Sequence, residues 1–513
     1  MRVVKTGAAM SLSTGKIRKI AVLLSAALVL TGCSLRPQPL DSAQSAQFVA
    51  QMREALAGDA PPIEQPLDLY TAMARAIRHN QELKVSELNR LFGEAQLGLA
   101  TADMLPRLVA SGEVGRRSND GTTGGLASGR TQRSGDLSFS WNILDFGVSY
   151  YRAMQASDQS LIAAEQYRRA AHAIMEETRI AFWRALALQK LDNALAAQSA
   201  GFAQALENSS RLMQAGLTDP VEALGAQRDL LLIQRDIDLQ RRSLVGAQEQ
   251  LRALIHYPAG VPLRLMDAPL APLSQPAPMA VAELADFALA NRPELRQAAY
   301  EMRITAQDAK IAFLELFPGI NLAAGALLDQ NPLLIHQGWT SVAAQASWQL
   351  IRILQYPARS AALTAKADVE RQKTLAFAVA VMMQGEISLA RLRQAQAEFR
   401  TQGQMADVQA RLLAHSEHMA SVGRIGQTNL TRERMNKVLA EARRIAAYGE
   451  VQGAYAGVLR AMGHEAVDIL SAGAMPVQEL ASRLRAADHA AFAYRPSLPK
   501  RGVAHHRGEG RRS

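Results

Sequence analysis

Apolar and polar residues alternate in Leu137–Ile143, and a similar alternation runs from Val342 to Leu350. A period of two with one apolar face is typical of a half-buried β-strand. Weaker alternation precedes each segment and predicts a partner strand for it. The pattern therefore predicts two hairpins, with strands at about 107–117 and 134–144 and at about 319–328 and 340–350. Strands of about ten residues have the length of transmembrane barrel strands.

Each predicted hairpin is followed by a very long helix. Residues 148–215 contain no proline, and residues 358–422 form a similar run. Roughly 67 residues at 1.5 Å each give a rod of about 100 Å, which cannot bury one face against a single compact core. Such a rod must pair along its length in coiled-coil fashion. Alanine on several faces favours contact with neighbours on two sides, as in a ring of helices.

The chain repeats itself. Residues 74–108 resemble residues 286–320 at a spacing of 212, with Glu82 matching Glu294. After a short deletion the match resumes at a spacing of 207, where Arg152 corresponds to Arg359. At the same spacing, Trp141 corresponds to Trp348 and Gly216 corresponds to Gly423. A duplication of this length predicts one structural unit used twice.

Each unit is predicted to contain two short helices, a strand hairpin, a long helix and a helix running back. The first unit, repeat one, spans residues 67–265, and the second, repeat two, spans residues 280–463. A Pro-rich linker, 266–279, joins them, and a partly disordered tail is expected over 464–513.

The N-terminus has the pattern of an export signal. Five basic residues precede the short apolar run Ile20–Leu30, which is too short to cross a bilayer as a stable helix. Leu30-Thr31-Gly32-Cys33 follows and resembles the bacterial lipobox. We therefore expect a signal peptide over 1–32, a lipid anchor at Cys33 and an N-terminal lead over 33–66. The alternative is an ordinary cleaved signal with a chance cysteine. Cys33 is the only cysteine, so no intrachain disulfide stabilises the exported chain.

The formal charge of +10 does not indicate nucleic-acid binding. Five positive charges lie in the signal, and a net +4 lies in residues 500–513, which leaves about +1 for the mature body.

Four strands cannot span a membrane alone, because an open sheet would leave edge donors and acceptors in hydrocarbon. The simplest closure borrows strands from copies of the same chain. Trp141 and Trp348 would then be membrane-interface aromatics. The alternative is a soluble sandwich with these tryptophans in its core, which the long helices disfavour.

In this order and spacing, the features resemble the TolC/OprM family of outer-membrane efflux channel proteins. The resemblance is carried by the lipobox, the duplication, the segment 141–147 and the two hairpin tips, 215–220 and 422–427. It implies a mainly α fold with a transmembrane β part. Four strands per chain would complete a trimeric 12-stranded β-barrel on a long α-helical barrel. It also implies a homotrimer in the bacterial outer membrane that docks an inner-membrane pump through a periplasmic adaptor protein.

The second unit departs from the family pattern where the strand joins the long helix. Residues 351–357, ending in Pro357, replace the usual Asp-Gly-Gly-type step. We expect Pro357 to open the helix at its first turn.

The sequence offers no catalytic constellation, cofactor site or metal site. His415 and His418 lack an evident third ligand, and Glu176-Glu177 is interpreted as helix surface. The predicted function is passive conduction of small molecules. The alternatives are a type I-like polypeptide secretion duct and a lipid-anchored periplasmic coiled-coil scaffold without a pore.

The two predicted hairpin tips carry the candidate periplasmic gate or adaptor-docking residues. Charged rings can set selectivity or hold a constriction in a symmetric pore. Asp219 also has the position of a helix cap before Pro220. The candidates are Gly216, Thr218, Asp219, Gly423 and Arg424.

Overall fold

A computed structural model provides the structure of the chain. It describes residues 38–58, 63, 66–116, 118, 121–123, 126–128, 131–142, 145–258, 260–270, 281–331, 334–465 and 467–490. The predicted signal peptide, Cys33 and the end of the tail (491–513) lie outside the described residues.

The N-terminal unit contains one described helix, α1 (Ser42–Gly58). Asp41 starts it, because its Oδ1 accepts the Gln44 N–H at 2.7 Å, and Gln44 returns a bond to the Asp41 N–H. This reciprocal arrangement is a capping box.

Repeat one begins with two short helices separated by a capping asparagine. Asn80 accepts the Leu83 N–H at 3.0 Å and so starts the second helix. A strand pair, a long helix and a return helix follow. The elements are α2 (Leu69–His79), α3 (Gln81–Ala102), β1 (Arg107–Arg116), β2 (Gly121–Thr123), β3 (Leu126–Ser128), β4 (Thr131–Asn142), α4 (Asp145–Gln214) and α5 (Pro220–Leu254).

Repeat two has the same order, with no counterpart of the small β2–β3 ribbon among its described residues, and two helices follow it. The elements are α6 (Val281–Asn291), α7 (Pro293–Leu314), β5 (Gly319–Asp329), β6 (Gly338–Ser347), α8 (Ile351–Ser421), α9 (Gln427–Met462), α10 (Ile469–Ala472) and α11 (Val477–Ala490). The duplicated helix–hairpin–long-helix architecture is confirmed.

The four predicted strands form one antiparallel sheet in the order β1-β4-β5-β6. Repeat one meets repeat two at its centre, where Leu137 of β4 lies opposite Ala326 of β5. The strands β1 and β6 form the two edges.

The main core surrounds the middle of α4. Phe182 and Trp183 pack there with Tyr448 of α9, and Leu480 of α11 belongs to the same buried cluster. Trp183 and Tyr448 meet edge to face with ring centroids 4.6 Å apart. The C-terminal helix α11 is therefore part of the folded core.

The expectation for Pro357 was wrong. The helix α8 begins six residues earlier, at Ile351, and Pro357 lies inside it. The start is fixed by turn bonds directly after the strand: the Arg352 N–H bonds to the Gln349 carbonyl at 3.0 Å and the Ile353 N–H to the Leu350 carbonyl at 3.1 Å. An internal proline removes one helical hydrogen bond and costs about 3 kcal/mol. The other bonds of this 71-residue helix offset that cost.

Candidate functional site

The first feature of the candidate site is the apolar face of the sheet. Residues in register across the four strands point to the same face, and one such row joins Leu108, Phe139, Ala324 and Val342. Leu108 is 67% exposed and Val342 is 87% exposed. A contiguous apolar face that no described part of the chain covers is a site for lipid or for a partner.

The opposite face is mainly polar. One of its rows contains Ser111 and Asp136, whose side chains hydrogen-bond to each other. Another row places Asn321 opposite Gln345. One face therefore suits hydrocarbon and the other suits water, which is the arrangement of a transmembrane barrel strand.

The edges of this sheet are open. Every residue of β6 is exposed, as are nine of the ten residues of β1. Edge strands present unpaired N–H and C=O groups that template pairing with another chain. In hydrocarbon these groups must be paired, so the sheet is incomplete as a single copy.

The two predicted interface tryptophans lie at the ends of the strands nearest the long helices. Trp141 is the penultimate residue of β4, and Trp348 follows β6 directly. The Trp348 Nε1–H donates to the Leu316 carbonyl at 2.9 Å, and its side chain is 55% exposed. Their role at a membrane interface stays a prediction.

A charged cluster lies where the sheet meets the helices, and sequence reasoning missed it. Glu315, the cap residue after α7, is approached by arginines from both long helices. Its carboxylate lies 2.5 Å from Arg359, 3.4 Å from Arg352 and 3.8 Å from Arg152. The alignment of Arg152 with Arg359 was the available signal, but the shared partner Glu315 could be seen only in the structure.

A polar cavity of about 440 Å³ lies at the same level. It is lined by Asp103, Arg107, Arg152, Asn321 and Gln345, among others. Its charged and amide groups favour water, and it joins the polar face of the sheet to the helical part.

The hairpin tips are built by glycines in the left-handed region. Gly216 has φ +68° and Gly423 has φ +72°, a conformation that residues with a Cβ rarely adopt. The Gly216 N–H bonds to the Met213 carbonyl at 3.1 Å and the Leu217 N–H to the Leu212 carbonyl at 3.0 Å. This is a Schellman motif, and Gly423 and Arg424 repeat it.

The charged tip residues have different local roles. Asp219 caps α5, because its Oδ1 accepts the Val221 N–H at 2.7 Å. Arg424 is exposed, and Gly426, the N-cap residue of α9, provides no side-chain cap. Thr218 is half-buried beside Asp219. The two hairpins run side by side near this end, where Arg432 of α9 lies 4.0 Å from Asp229 of α5. A gate or docking role for these residues stays a prediction.

A buried ion pair holds the C-terminal helix. Arg179 of α4 lies 2.9 Å from the carboxylate of Asp488 of α11, and Tyr70 donates a hydrogen bond to the same carboxylate at 2.8 Å. Burial alone would lower the pKa of Arg179, but Asp488 raises it above its ordinary value. The same burial and the negative charge of Asp488 raise the pKa values of Tyr70 and Tyr455.

His172 of α4 is also buried. Burial, together with the positive charges of Arg292 and other neighbours, lowers the pKa of His172 to about 4. Its Nε2 has no hydrogen-bond partner in the described part of the chain. The imidazole is therefore neutral at physiological pH.

The described residues contain no group of three or more His, Cys, Asp or Glu side chains that could hold a metal ion. His415 and His418 are exposed on α8. Glu176 is not simply helix surface, because it accepts a hydrogen bond from Arg460 of α9 at 2.8 Å and so links two helices.

Comparisons with known proteins agree with this geometry. Residues 72–255 match the family model described as "Outer membrane efflux protein". The pyoverdine export outer membrane protein OpmQ of Pseudomonas aeruginosa is 28% identical over 333 residues, which cover 60% of this chain and 67% of OpmQ.

Solved structures share the fold. The open state of the Neisseria gonorrhoeae MtrE outer membrane channel matches with a TM-score of 0.62 and 16% identity, covering 77% of this chain and 88% of that one. The Campylobacter jejuni CmeC outer membrane channel matches with a TM-score of 0.60 and 12% identity, covering 82% of this chain and 89% of that one.

Proposed function

We propose that this chain, a TolC/OprM-like protein of the bacterial outer membrane, is the channel through which an efflux system passes small molecules out of the cell. The observation that carries the proposal is the open sheet. It has an apolar face, a mainly polar face and two uncovered edges. Three copies joined edge to edge would give twelve strands, with the polar face toward a water-filled lumen.

Conduction is passive in this proposal. The polar cavity below the sheet would continue the lumen toward the long helices. The free energy for transport would come from an inner-membrane pump that joins the channel through a periplasmic adaptor.

We assign adaptor docking or gating to the hairpin tips. The tips expose apolar side chains beside their charges: Leu217 is 74% exposed, Val221 81% and Val422 56%. An apolar surface flanked by Asp219 and Arg424 is suited to a protein partner.

Conductance tests the channel directly. We expect the purified protein, inserted into planar lipid bilayers, to give discrete current steps together with a trimeric mass in detergent. A folded monomer that gives no current would support a periplasmic scaffold instead.

A pull-down with the adaptor tests the tips. We expect Asp219→Asn combined with Arg424→Gln to reduce retention of the adaptor at least several-fold, since both charges are lost while asparagine still caps α5. Arg211→Gln, which removes an exposed charge further up α4, is the control. Equal retention by all three proteins would exclude the tip charges from docking.

The lipid anchor is tested by the mass of the mature N-terminus. We expect the first residue to be Cys33 carrying acyl chains, and Cys33→Ser to abolish the modification. A mature chain that retains an unmodified Cys33 thiol would indicate an ordinary cleaved signal.

A further inference from the structure

The contact between the two repeats inside the chain has a notable close approach. A β-carbon placed on Gly453 of α9 would lie 2.7 Å from Cγ1 of Ile180 of α4 and 4.0 Å from its Cβ. Only a glycine allows the two helices to come this close. The Ile180 side chain fills the notch that Gly453 leaves.

The duplication repeats this pair on surfaces that do not meet inside the chain. At the spacing of 207, Ile180 corresponds to Ile387 of α8, and Gly453 corresponds to Gly246 of α5. Ile387 is 45% exposed, and a β-carbon on Gly246 would have no heavy atom within 4 Å. Both residue types are retained, yet each lacks its partner.

From this correspondence we infer that Ile387 of one copy packs into the notch at Gly246 of the next copy, so that the boundary between subunits reproduces the boundary between the repeats. The inference rests on the proposed function, because it requires copies arranged in a ring. It names the residues that meet there, which the open sheet alone does not.

The surface of α5 supports this assignment. On α9, the side that faces α4 includes Leu439 and Gly453. The corresponding side of α5 carries five of its uncovered apolar side chains. These are Leu224 (53% exposed), Leu231 (52%), Leu232 (42%), Leu239 (49%) and Val245 (59%).

Charge complementarity gives separate support. Inside the chain, Leu191 of α4 shares a buried cluster with Met435 and Ala442 of α9. The residues corresponding to Met435 and Ala442 are Arg228 and Arg235, and the one corresponding to Leu191 is Glu398. An apolar contact inside the chain thus becomes a contact of opposite charges between copies.

The charged cluster where the sheet meets the helices shows the same correspondence between the repeats. Glu315 corresponds to Asp103 at the spacing of 212, and Arg152 corresponds to Arg359. The ion pair of Glu315 with Arg152 crosses the boundary between the repeats. Its counterpart joins Asp103, which is exposed, to Arg359 of the neighbouring copy.

The same correspondence predicts the strand register between copies. Transferring the β4–β5 pairing to β6 and the neighbour's β1 places Gln345 opposite Glu113 and Ala344 opposite Val114. Polar residues then meet polar ones and apolar residues meet apolar ones, as continuous faces require.

Disulfide trapping tests the inference in the full chain. In Gly246→Cys/Ile387→Cys the two β-carbons are expected about 4.0 Å apart, within the disulfide range. We expect oxidation to yield a covalent trimer on a non-reducing gel, which reductant returns to single chains. The register control is Ser243→Cys/Ile387→Cys, since the residue corresponding to Ser243, Glu450, is exposed in α9.

The single variants Gly246→Cys and Ile387→Cys are the controls for disulfides formed with Cys33. A second test is Gly246→Leu, whose β-carbon would have no heavy atom of the described chain within 4 Å and which raises helix propensity. We expect it to keep its helical content and lose the trimer, whereas Ser243→Leu keeps both.

The outcomes separate the two proposals. A trimer by native mass that the matched pair does not trap, or that the control pair traps equally well, would overturn the contact while leaving the channel intact. Monomers by native mass for the unsubstituted chain would overturn both.

Discussion

The helices α4 and α8 come from the same duplicated unit and have nearly equal lengths, 70 and 71 residues, but the chain covers them differently. The middle of α4 is core, with Phe182 fully buried and Leu186 1% exposed. On α8, Val379 and Met383 are each 53% exposed. The difference shows that the duplication produces an apolar helix surface in each repeat, but that the described chain buries only the one on α4.

The sheet shows the same asymmetry. The strands β4 and β5 are paired on both sides, whereas β1 and β6 each have one open side. The uncovered surfaces of α8 and of the edge strands are therefore where we place the neighbouring copies.

Of the described helices, one, α8, contains an 18-residue stretch apolar enough to cross a membrane by length and composition. Only 22% of that stretch is buried. The helix packs along α9 within the chain, and we propose that the exposed part of this stretch contacts a neighbouring copy.

The largest expected effect contrasts the two long helices. Phe182→Ala is expected to reduce the free energy of unfolding by about 3–5 kcal/mol, because it leaves a cavity in the core. Met383→Ala is expected to change the stability of the dissociated chain by less than about 0.5 kcal/mol. Chemical denaturation followed by circular dichroism measures both. Equal losses would contradict the different burial of α4 and α8.

A similar loss is expected at the buried ion pair, which α8 lacks because Glu386 replaces Arg179 at the corresponding position. Arg179→Met leaves Asp488 buried without its cation and is expected to cost about 3–5 kcal/mol. Limited proteolysis should then cut α11 more readily. Arg179→Met/Asp488→Leu should recover most of the stability, and a double variant as unstable as the single one would argue against charge burial as the cause.

An intermediate effect concerns pH and His172, whose counterpart on α8 is the exposed Val379. The pKa of His172 falls from 6.5 to about 4 on folding, so the unfolded chain binds more protons between these values. The contribution of neutral His172 to the free energy of unfolding is complete above pH 6.5. It is lost as the pH falls toward 4, by up to about 3 kcal/mol.

Thermal unfolding across this pH range measures the effect. His172→Gln should flatten the pH dependence, and His415→Gln on the exposed face of α8 should leave it unchanged. An unchanged slope in the His172 variant would assign the pH dependence to other groups.

The sequence alone was sufficient for the repeats, the four strands and the turns at Gly216 and Gly423, because period, proline and glycine act locally. It was insufficient where distant segments decide. The start of α8 depends on turn bonds after β6 rather than on Pro357. The pairing of Arg179 with Asp488, and of Glu315 with its arginines, depends on helix packing. The lipid anchor at Cys33 stays a prediction from the lipobox motif.

The smallest expected effect compares the two tips. Asp219→Ala removes the cap of α5 and is expected to cost about 1 kcal/mol. Gly426, the N-cap residue of α9, provides no side-chain cap and has φ −77° and ψ 161°, a conformation that aspartate also adopts. Gly426→Asp should therefore stabilise the second tip by a few tenths of a kcal/mol. Hydrogen exchange at each tip measures the change, and equal protection in all variants would show that caps do not limit tip opening.

Native mass spectrometry of the full chain, extracted in detergent, tests most directly whether the uncovered surfaces belong to neighbouring copies. Our account predicts a species of three chain masses whose subunits retain their helical content. A folded protein that keeps the mass of one chain in the same detergent would contradict it.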